Sequence, residues 1–378
     1  RATSLMREGK VLAAYTPTMG GVAEAVMKMC FGNGIGFRYD EALSMRDLFG
    51  YHYGSLILEL AEPAEIGIPL GETIPERVIS YHGGNLALSS LLGAYEAVLE
   101  PVYPCNIPQR DGKIPAFSYE GGSPAAPAVR TARPRVLIPV FPGTNCEYDS
   151  AKAFSDAGAE PEIFVVNNLT AAGISRSAER FAKKIAESEI IFIPGGFSGG
   201  DEPDGSGKFI TAFFRNAGVR EATGELLDRR AGLMAGICNG FQALIKLGLV
   251  PYGKIIDADE TAPTLTYNVI GRHQSRLVRT RICSNLSPWL SEVRVGDIIT
   301  VPISHGEGRF LASDAAVRAL AERGQIATQY VDMDGRPTMD IRYNPNGSLW
   351  AIEGITSPDG RVLGKMGHTE RRGEQVAK

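Results

Sequence analysis

Gly236-Ile237-Cys238-Asn239-Gly240 is the stretch that decides the architecture of this chain. The run leading into it, Ala231 to Ile237, is small and apolar, as a buried strand requires. The run leaving it, Phe241-Gln-Ala-Leu-Ile-Lys-Leu-Gly248, has helical spacing and a closing glycine. Cys238 therefore stands where a strand turns sharply into a helix, a geometry that lifts a nucleophile out of a sheet. Gly236 and Gly240 have no Cβ and permit a tight turn with close packing. A helix N-terminus favours negative charge, and with it the thiolate.

Working outward, the chain from Arg135 alternates strand, loop and helix. Val136–Val140 reads as a strand, followed by a turn at Pro142-Gly143-Thr144-Asn145 and a helix to Ala157. Pro161–Val166 and Ile190–Ile193 are further strands, the second ending at Pro194-Gly195-Gly196, and helices close at Glu187 and cover Phe209–Phe214. This alternation predicts an α/β fold, a parallel sheet flanked by helices. After Lys254 the pattern turns to shorter strands: Thr264–Val269, Leu277–Cys283, Ile299–Ile303, Ile326–Val331 and Leu349–Ile355. Residues 1–118 differ, mixing glycine turns with a helix over Gly20–Met29, a strand over Ser55–Leu60 and an amphipathic helix over Asn85–Leu99. Residues 119–134, rich in Gly, Pro and Ala, read as a linker. The expected organisation is a first domain over 1–118, a linker over 119–134 and a second domain over 135–378.

The 378 residues suffice for two domains, and 44% hydrophobic residues is ordinary for a globular protein. A net charge of −4 with dispersed acids and bases gives no nucleic-acid groove. The five cysteines (30, 105, 146, 238 and 283) include no Cys-x-x-Cys pair, which argues against a disulfide framework and against a metal site, and for a reducing cytoplasm. No apolar run has membrane-spanning length. The chain opens at Arg1 inside a helical pattern and stops abruptly at Lys378, so a longer parent polypeptide is expected.

A nucleophilic Cys238 needs a base. Of the five histidines, two stand two residues before a glutamate, in His305-Gly-Glu307 and His368-Thr-Glu370. In an extended segment that spacing puts both side chains on one side, so the carboxylate can orient the imidazole as the third member of a triad. Spacing does not choose between the two pairs, and the plain alternative is that Cys238 is core. The Pro194-Gly195-Gly196-Phe197-Ser198 turn follows a strand end in the same sheet. Its backbone N–H groups, Gly196 above all, together with that of Asn239, would form an oxyanion hole. Gly199–Lys208 fails the phosphate-loop pattern, with Glu202 where glycine is required and Phe209 after the lysine. Gly32-Asn-Gly-Ile-Gly36 lacks the third glycine of a dinucleotide fingerprint.

Taken together, six segments resemble, in order, the glutaminase motifs of the phosphoribosylformylglycinamidine synthase family, in its large single-chain form. They are Phe141-Pro-Gly-Thr-Asn-Cys146, Pro194–Ser198, Gly236-Ile-Cys-Asn-Gly-Phe-Gln242, Ser304-His-Gly-Glu-Gly-Arg309, Asn344-Pro-Asn-Gly-Ser348 and Gly367-His-Thr-Glu-Arg371. The resemblance implies a class I glutamine amidotransferase domain, flavodoxin-like, with a Cys-His-Glu triad of Cys238, His368 and Glu370. It implies that Gln242, Asn145, His305 and Glu307 line the glutamine pocket. The family usually has Pro-His-Pro-Glu where this chain has Gly367-His-Thr-Glu370. Residues 1–118, through Thr16-Pro-Thr-Met-Gly-Gly-Val-Ala-Glu24, resemble the end of the α+β aminoimidazole-ribonucleotide-synthetase-like half. The implied partners are glutamine and upstream synthetase domains of the same polypeptide, with neither nucleic acid nor membrane. No cofactor is expected on this piece; ATP and Mg2+ are expected for the full-length enzyme. The rival readings are another Cys-dependent α/β hydrolase and a non-catalytic module that kept the fold.

Overall fold

Residues 1–104, 114–122, 130–197 and 207–371 are described by a computed structural model. Contacts divide the chain into units over Arg1–Asn106 and Ile107–Lys378. In the first unit, β1 (Val11–Tyr15) pairs antiparallel with β3 (Ile57–Leu60). A four-stranded sheet has the order β4 (Gly71–Ile74), β2 (Gly36–Tyr39), β5 (Val78–Tyr81), β6 (Gly84–Ala87). The helix expected over Gly20–Met29 runs over Gly21–Asn33 and ends where Gly34 turns left-handed. It buries Val22, Ala25, Val26 and Cys30 with Tyr39, Leu48, Ile57 and Ile79. The helix expected over Asn85–Leu99 is shorter, Leu88–Ala97, because its first residues pair in β6.

The second unit is built on a nine-stranded sheet. Its strands are β7 (Arg135–Val140), β8 (Glu160–Val165), β9 (Ile190–Ile193), β10 (Leu233–Ile237), β12 (Gln274–Ile282), β13 (Ile298–His305), β15 (Ile326–Val331), β16 (Ile352–Thr356) and β17 (Val362–Lys365). A separate ribbon pairs β11 (Thr264–Tyr267) with β14 (Glu307–Leu311). The sheet order is β13-β12-β15-β16-β17-β10-β9-β7-β8. From β17 to β8 every pairing is parallel, as the alternating pattern predicts. From β13 to β17 every pairing is antiparallel, so the predicted parallel sheet is extended by an antiparallel half and the whole is mixed. The physical reason is connection length. β12 to β17 follow one another with one helix between β14 and β15, too few crossover helices to keep strands parallel.

Helices flank the parallel half. Ala171–Glu187 shows how the sequence makes one: Thr170 Oγ1 accepts from Gly173 N–H, and Ile174, Ala178, Phe181 and Ile185 recur at helical spacing on one face. Phe181 and Ile185 are fully buried, each contributing about 1.5–3 kcal/mol. Residues 114–122 lie against this unit, with Phe117 N–H donating to Gln329 Oε1 and Tyr119 N–H to the Cys283 carbonyl. Residues 123–129 of the linker reading, Cys105, Ser198 and most of the Gly199–Lys208 loop lie outside the described residues. Among the described residues no helix is long and apolar enough to cross a membrane.

Candidate active site

The parallel half of the sheet delivers its loops to one edge. β17, β10, β9 and β7 are neighbours running the same way. Their carboxyl ends lead, in that order, into His368, Cys238, Gly195-Gly196 and Asn145-Cys146. In such sheets, sites form beyond the carboxyl ends of the strands.

Cys238 has φ 53° and ψ −106°, the strained turn that the glycine pair announces. A non-glycine residue held there costs about 1–3 kcal/mol. Both flanking glycines are required by close approach. A Cβ on Gly240 would lie 2.1 Å from the Ile193 carbonyl oxygen, and one on Gly236 would lie 2.6 Å from the Gly240 carbonyl carbon. The Cys238 N–H donates to the Lys365 carbonyl at 2.9 Å, which ties the elbow to the strand that leads to His368. The thiol is 3% exposed, and its Sγ lies 3.7 Å from the Ser304 carbonyl oxygen. Helix Asn239–Leu247 starts at the next residue, and its first-turn N–H groups have no acceptor within the helix.

His368 Nδ1 lies 2.6 Å from Glu370 Oε1, and both side chains are buried. Cys146 Sγ lies 3.7 Å from the same Nδ1, and the Cys238 sulfur is among the groups that favour the charged ring. Burial alone would lower its pKa. The two sulfurs and the Glu370 carboxylate outweigh that and hold it well above the ordinary histidine value. The loop is pinned at two backbone positions: Gly367 N–H donates to Glu353 Oε1 at 2.5 Å, and His368 N–H donates to the Pro302 carbonyl at 2.9 Å. A proline at 367 would lack that first donor, so the Gly367 departure from the usual family pattern is matched by a bond only a residue with an N–H can make.

The second His-x-Glu pair is held differently. His305 Nδ1 lies 3.1 Å from Asn268 Oδ1, and its Nε2 is buried with no hydrogen-bond partner among the described residues. Full burial, with the charge repulsion of His368 and His273 adding to it, pushes the His305 pKa down to about 3, so this ring is neutral at physiological pH. Glu307 is 2% exposed, and its carbonyl accepts from Gln242 Nε2 at 2.6 Å. Gln242 Oε1 in turn accepts from Asn239 Nδ2 at 2.9 Å. The Gln242, Asn239, His305 and Glu307 side chains are thus buried in linked segments beside the elbow.

Two residues left without a role by the sequence reading, Cys146 and Arg371, enter the site. Cys146 Sγ lies 3.7 Å from His368 Nδ1, 3.0 Å from Asn145 Oδ1 and 3.0 Å from Arg371 Nη2. Arg371 also reaches Asn145 Oδ1 at 3.5 Å and pairs with Asp149 at 3.6 Å. Asn145 therefore bonds to Cys146 and Arg371. The only signal available in sequence was that Cys146 and Arg371 close two of the six quoted motifs. Gly196, bridged to Thr144, has φ 147° and sits beside these residues. Donor atoms of Cys146, His368 and Glu370 lie within 4.8 Å of one another. The His368–Glu370 hydrogen bond already uses the ring nitrogen and carboxylate oxygen that a cation would take.

Comparison with known proteins places this geometry in context. The CobB/CobQ-like glutamine amidotransferase domain matches residues 133–378. The chain is 36% identical over 239 residues to phosphoribosylformylglycinamidine synthase subunit PurQ of Methanococcus maripaludis, covering 63% of this chain and 82% of that protein. It is 38% identical over 251 residues to the PurQ subunit of Treponema denticola, covering 63% and 88%. Among solved structures, PurLQS from Thermotoga maritima is similar at 26% identity with a TM-score of 0.46, covering 65% of this chain and 91% of that one.

Proposed function

This chain belongs to the family of CobB/CobQ-like glutamine amidotransferase domains, and from that premise we propose that Cys238, His368 and Glu370 hydrolyse glutamine to supply ammonia. The proposed use of that ammonia is the conversion of formylglycinamide ribonucleotide to its amidine in purine biosynthesis. The observation that carries the reading is the buried His368–Glu370 pair, Nδ1 to Oε1 at 2.6 Å, at the same sheet edge as the strained Cys238 elbow, whose sulfur is among the groups that favour the charged ring. The PurQ names of the relatives support the pathway.

The chemistry follows from the parts. The Cys238 thiolate attacks the side-chain amide carbon of glutamine, and the oxyanion rests on N–H groups of Gly196 and Asn239. The His368 imidazolium, stabilised by Glu370, gives its proton to the departing nitrogen, which leaves as ammonia. The γ-glutamyl thioester remains. His368, now neutral, takes a proton from water, whose oxygen attacks the thioester carbon. Glutamate leaves, and the thiolate and imidazolium are restored. Gln242, Asn145, His305 and Glu307 are proposed to shape the glutamine pocket, where the buried Nε2 of His305 is one available polar atom.

The relatives are separate subunits, whereas here residues 1–118 precede the amidotransferase domain on the same chain. We read residues 1–118 as the end of a synthetase half, 119–134 as its linker and 135–378 as the glutaminase. The proposed partner is therefore the rest of a single-chain synthetase, which receives the ammonia internally. ATP and Mg2+ belong to that half, and no step above uses them. The proposed setting is a reducing cytoplasm, in which the thiolate persists. With the synthetase present, Cys238→Ala abolishes glutamine-dependent amidine formation and leaves ammonia-dependent formation intact. Retained glutamine hydrolysis in that variant refutes the assignment. His368→Ala lowers turnover by orders of magnitude; if His305→Ala does so in its place, the base is misassigned.

A further inference from the structure

We propose that Cys146 is a positioning residue for His368, its sulfur fixing the Nδ1 edge of the ring alongside Glu370. The inference rests on the functional reading above and concerns a residue that reading does not use.

Cys146 is placed by its own backbone. Its carbonyl accepts from Ser150 N–H at 3.0 Å and from Ser150 Oγ at 2.6 Å, which anchors it to the first turn of helix Glu147–Asp156. The preceding Asn145 N–H donates to the Gly195 carbonyl at 3.2 Å. The sulfur is then oriented by two polar neighbours, donating to Asn145 Oδ1 and accepting from Arg371 Nη2, each at 3.0 Å. What remains of its polarity faces His368 Nδ1 at 3.7 Å, within sulfur hydrogen-bonding range. Gly195 packs against both the ring and the sulfur: a Cβ there would lie 2.5 Å from His368 Cε1 and 3.1 Å from Cys146 Sγ. The Nδ1–Cε1 edge of the imidazole therefore packs against the Gly195 backbone, the Cys146 sulfur and the Glu370 carboxylate. A thiol 1% exposed and bonded to three polar side chains is not ordinary apolar filling. A ring so held needs no reorientation when the amide nitrogen departs.

The test measures two quantities for Cys146→Ser, Cys146→Ala and Cys146→Val. One is the rate at which a diazoketone analogue of glutamine alkylates Cys238. The other is glutamine turnover with the synthetase present. The Ala and Val variants are expected to lose about 10- to 100-fold in both rates, with KM for glutamine within about twofold. The Ser variant is expected to recover most of that loss. The alkaline limb of the turnover profile, set by loss of the imidazolium proton, is expected to move to lower pH in Ala and Val and not in Ser. Glu370, Cys238, His305 and Arg371, the other titratable or charged groups around the ring, are unchanged in all three. Wild-type rates in the Val variant, or equal loss in all three with no shift of the limb, overturn the proposal. His368→Ala serves as the control. If it is alkylated as fast as the wild type, the base assignment fails and this inference falls with it. If it is slow while Cys146→Ala is fast, only this inference fails.

Discussion

The carboxylate of Glu370 and the ring of His368 meet at 2.6 Å, Oε1 to Nδ1, in a buried pair two residues apart. The spacing produces the contact only because residues 367–370 are held by donors to Glu353 and Pro302. Low dielectric makes such a bond strong and makes its loss costly.

Glu370→Gln keeps the shape and removes the charge. The expected outcome is a fall in turnover on the order of 10²–10⁴, by analogy with the carboxylate of a hydrolase triad. The Glu370 contact is one of those that raise the His368 pKa. Its loss lowers that pKa, so the alkaline limb of the pH–turnover profile moves to lower pH. Steady-state kinetics from pH 6 to 10 checks both; an unmoved limb refutes the role.

Gly240→Ala places a methyl group 2.1 Å from the Ile193 carbonyl oxygen, a backbone atom in the middle of the sheet. Neither element can yield without breaking strand pairing between β9 and β10. A destabilisation of about 2 kcal/mol or more is expected, together with loss of turnover as the elbow shifts. Urea denaturation of the variant beside the wild type measures the first, and an unchanged midpoint contradicts the packing.

His305 affects stability through pH. Its folded pKa is pushed down to about 3 by burial, while the unfolded chain takes up a proton near 6.5. Below that pH the unfolded state binds the proton and the native state does not, so stability falls as pH drops from about 6.5 toward 3. His368 works in the opposite sense, its raised pKa adding stability that is lost as pH rises through the folded value. His305→Asn keeps a donor for Asn268 and removes the titration. Relative to wild type it should gain about 2 kcal/mol between pH 7 and pH 5. Chemical denaturation at the two values decides it, and parallel profiles refute it.

Much of this was legible in the chain because it depends on neighbours in sequence. The apolar run into Ile237, the glycines at 236 and 240 and the helix after Cys238 specify the elbow by local sterics, and helical periodicity specifies elements such as Ala171–Glu187. The antiparallel half of the sheet was not legible, since short strands carry no mark of their direction; only the shortage of crossover helices hints at it.

The two His-x-Glu units look alike along the chain, and their difference lies in what surrounds each ring. His305 is sealed against Asn268 and left neutral, while His368 has the Glu370 carboxylate and the Cys146 sulfur against its Nδ1. The presence of Cys146 at the imidazole is decided the same way, by the adjacency of β7, β9, β10 and β17, which gathers residues up to 226 positions apart at one sheet edge. Sequence by itself determined the turn that strains Cys238, because close backbone contact is a short-range demand. Tertiary structure alone decided which imidazole meets which acid and which sulfur, because burial and through-space contact set those pairings and distance along the chain does not.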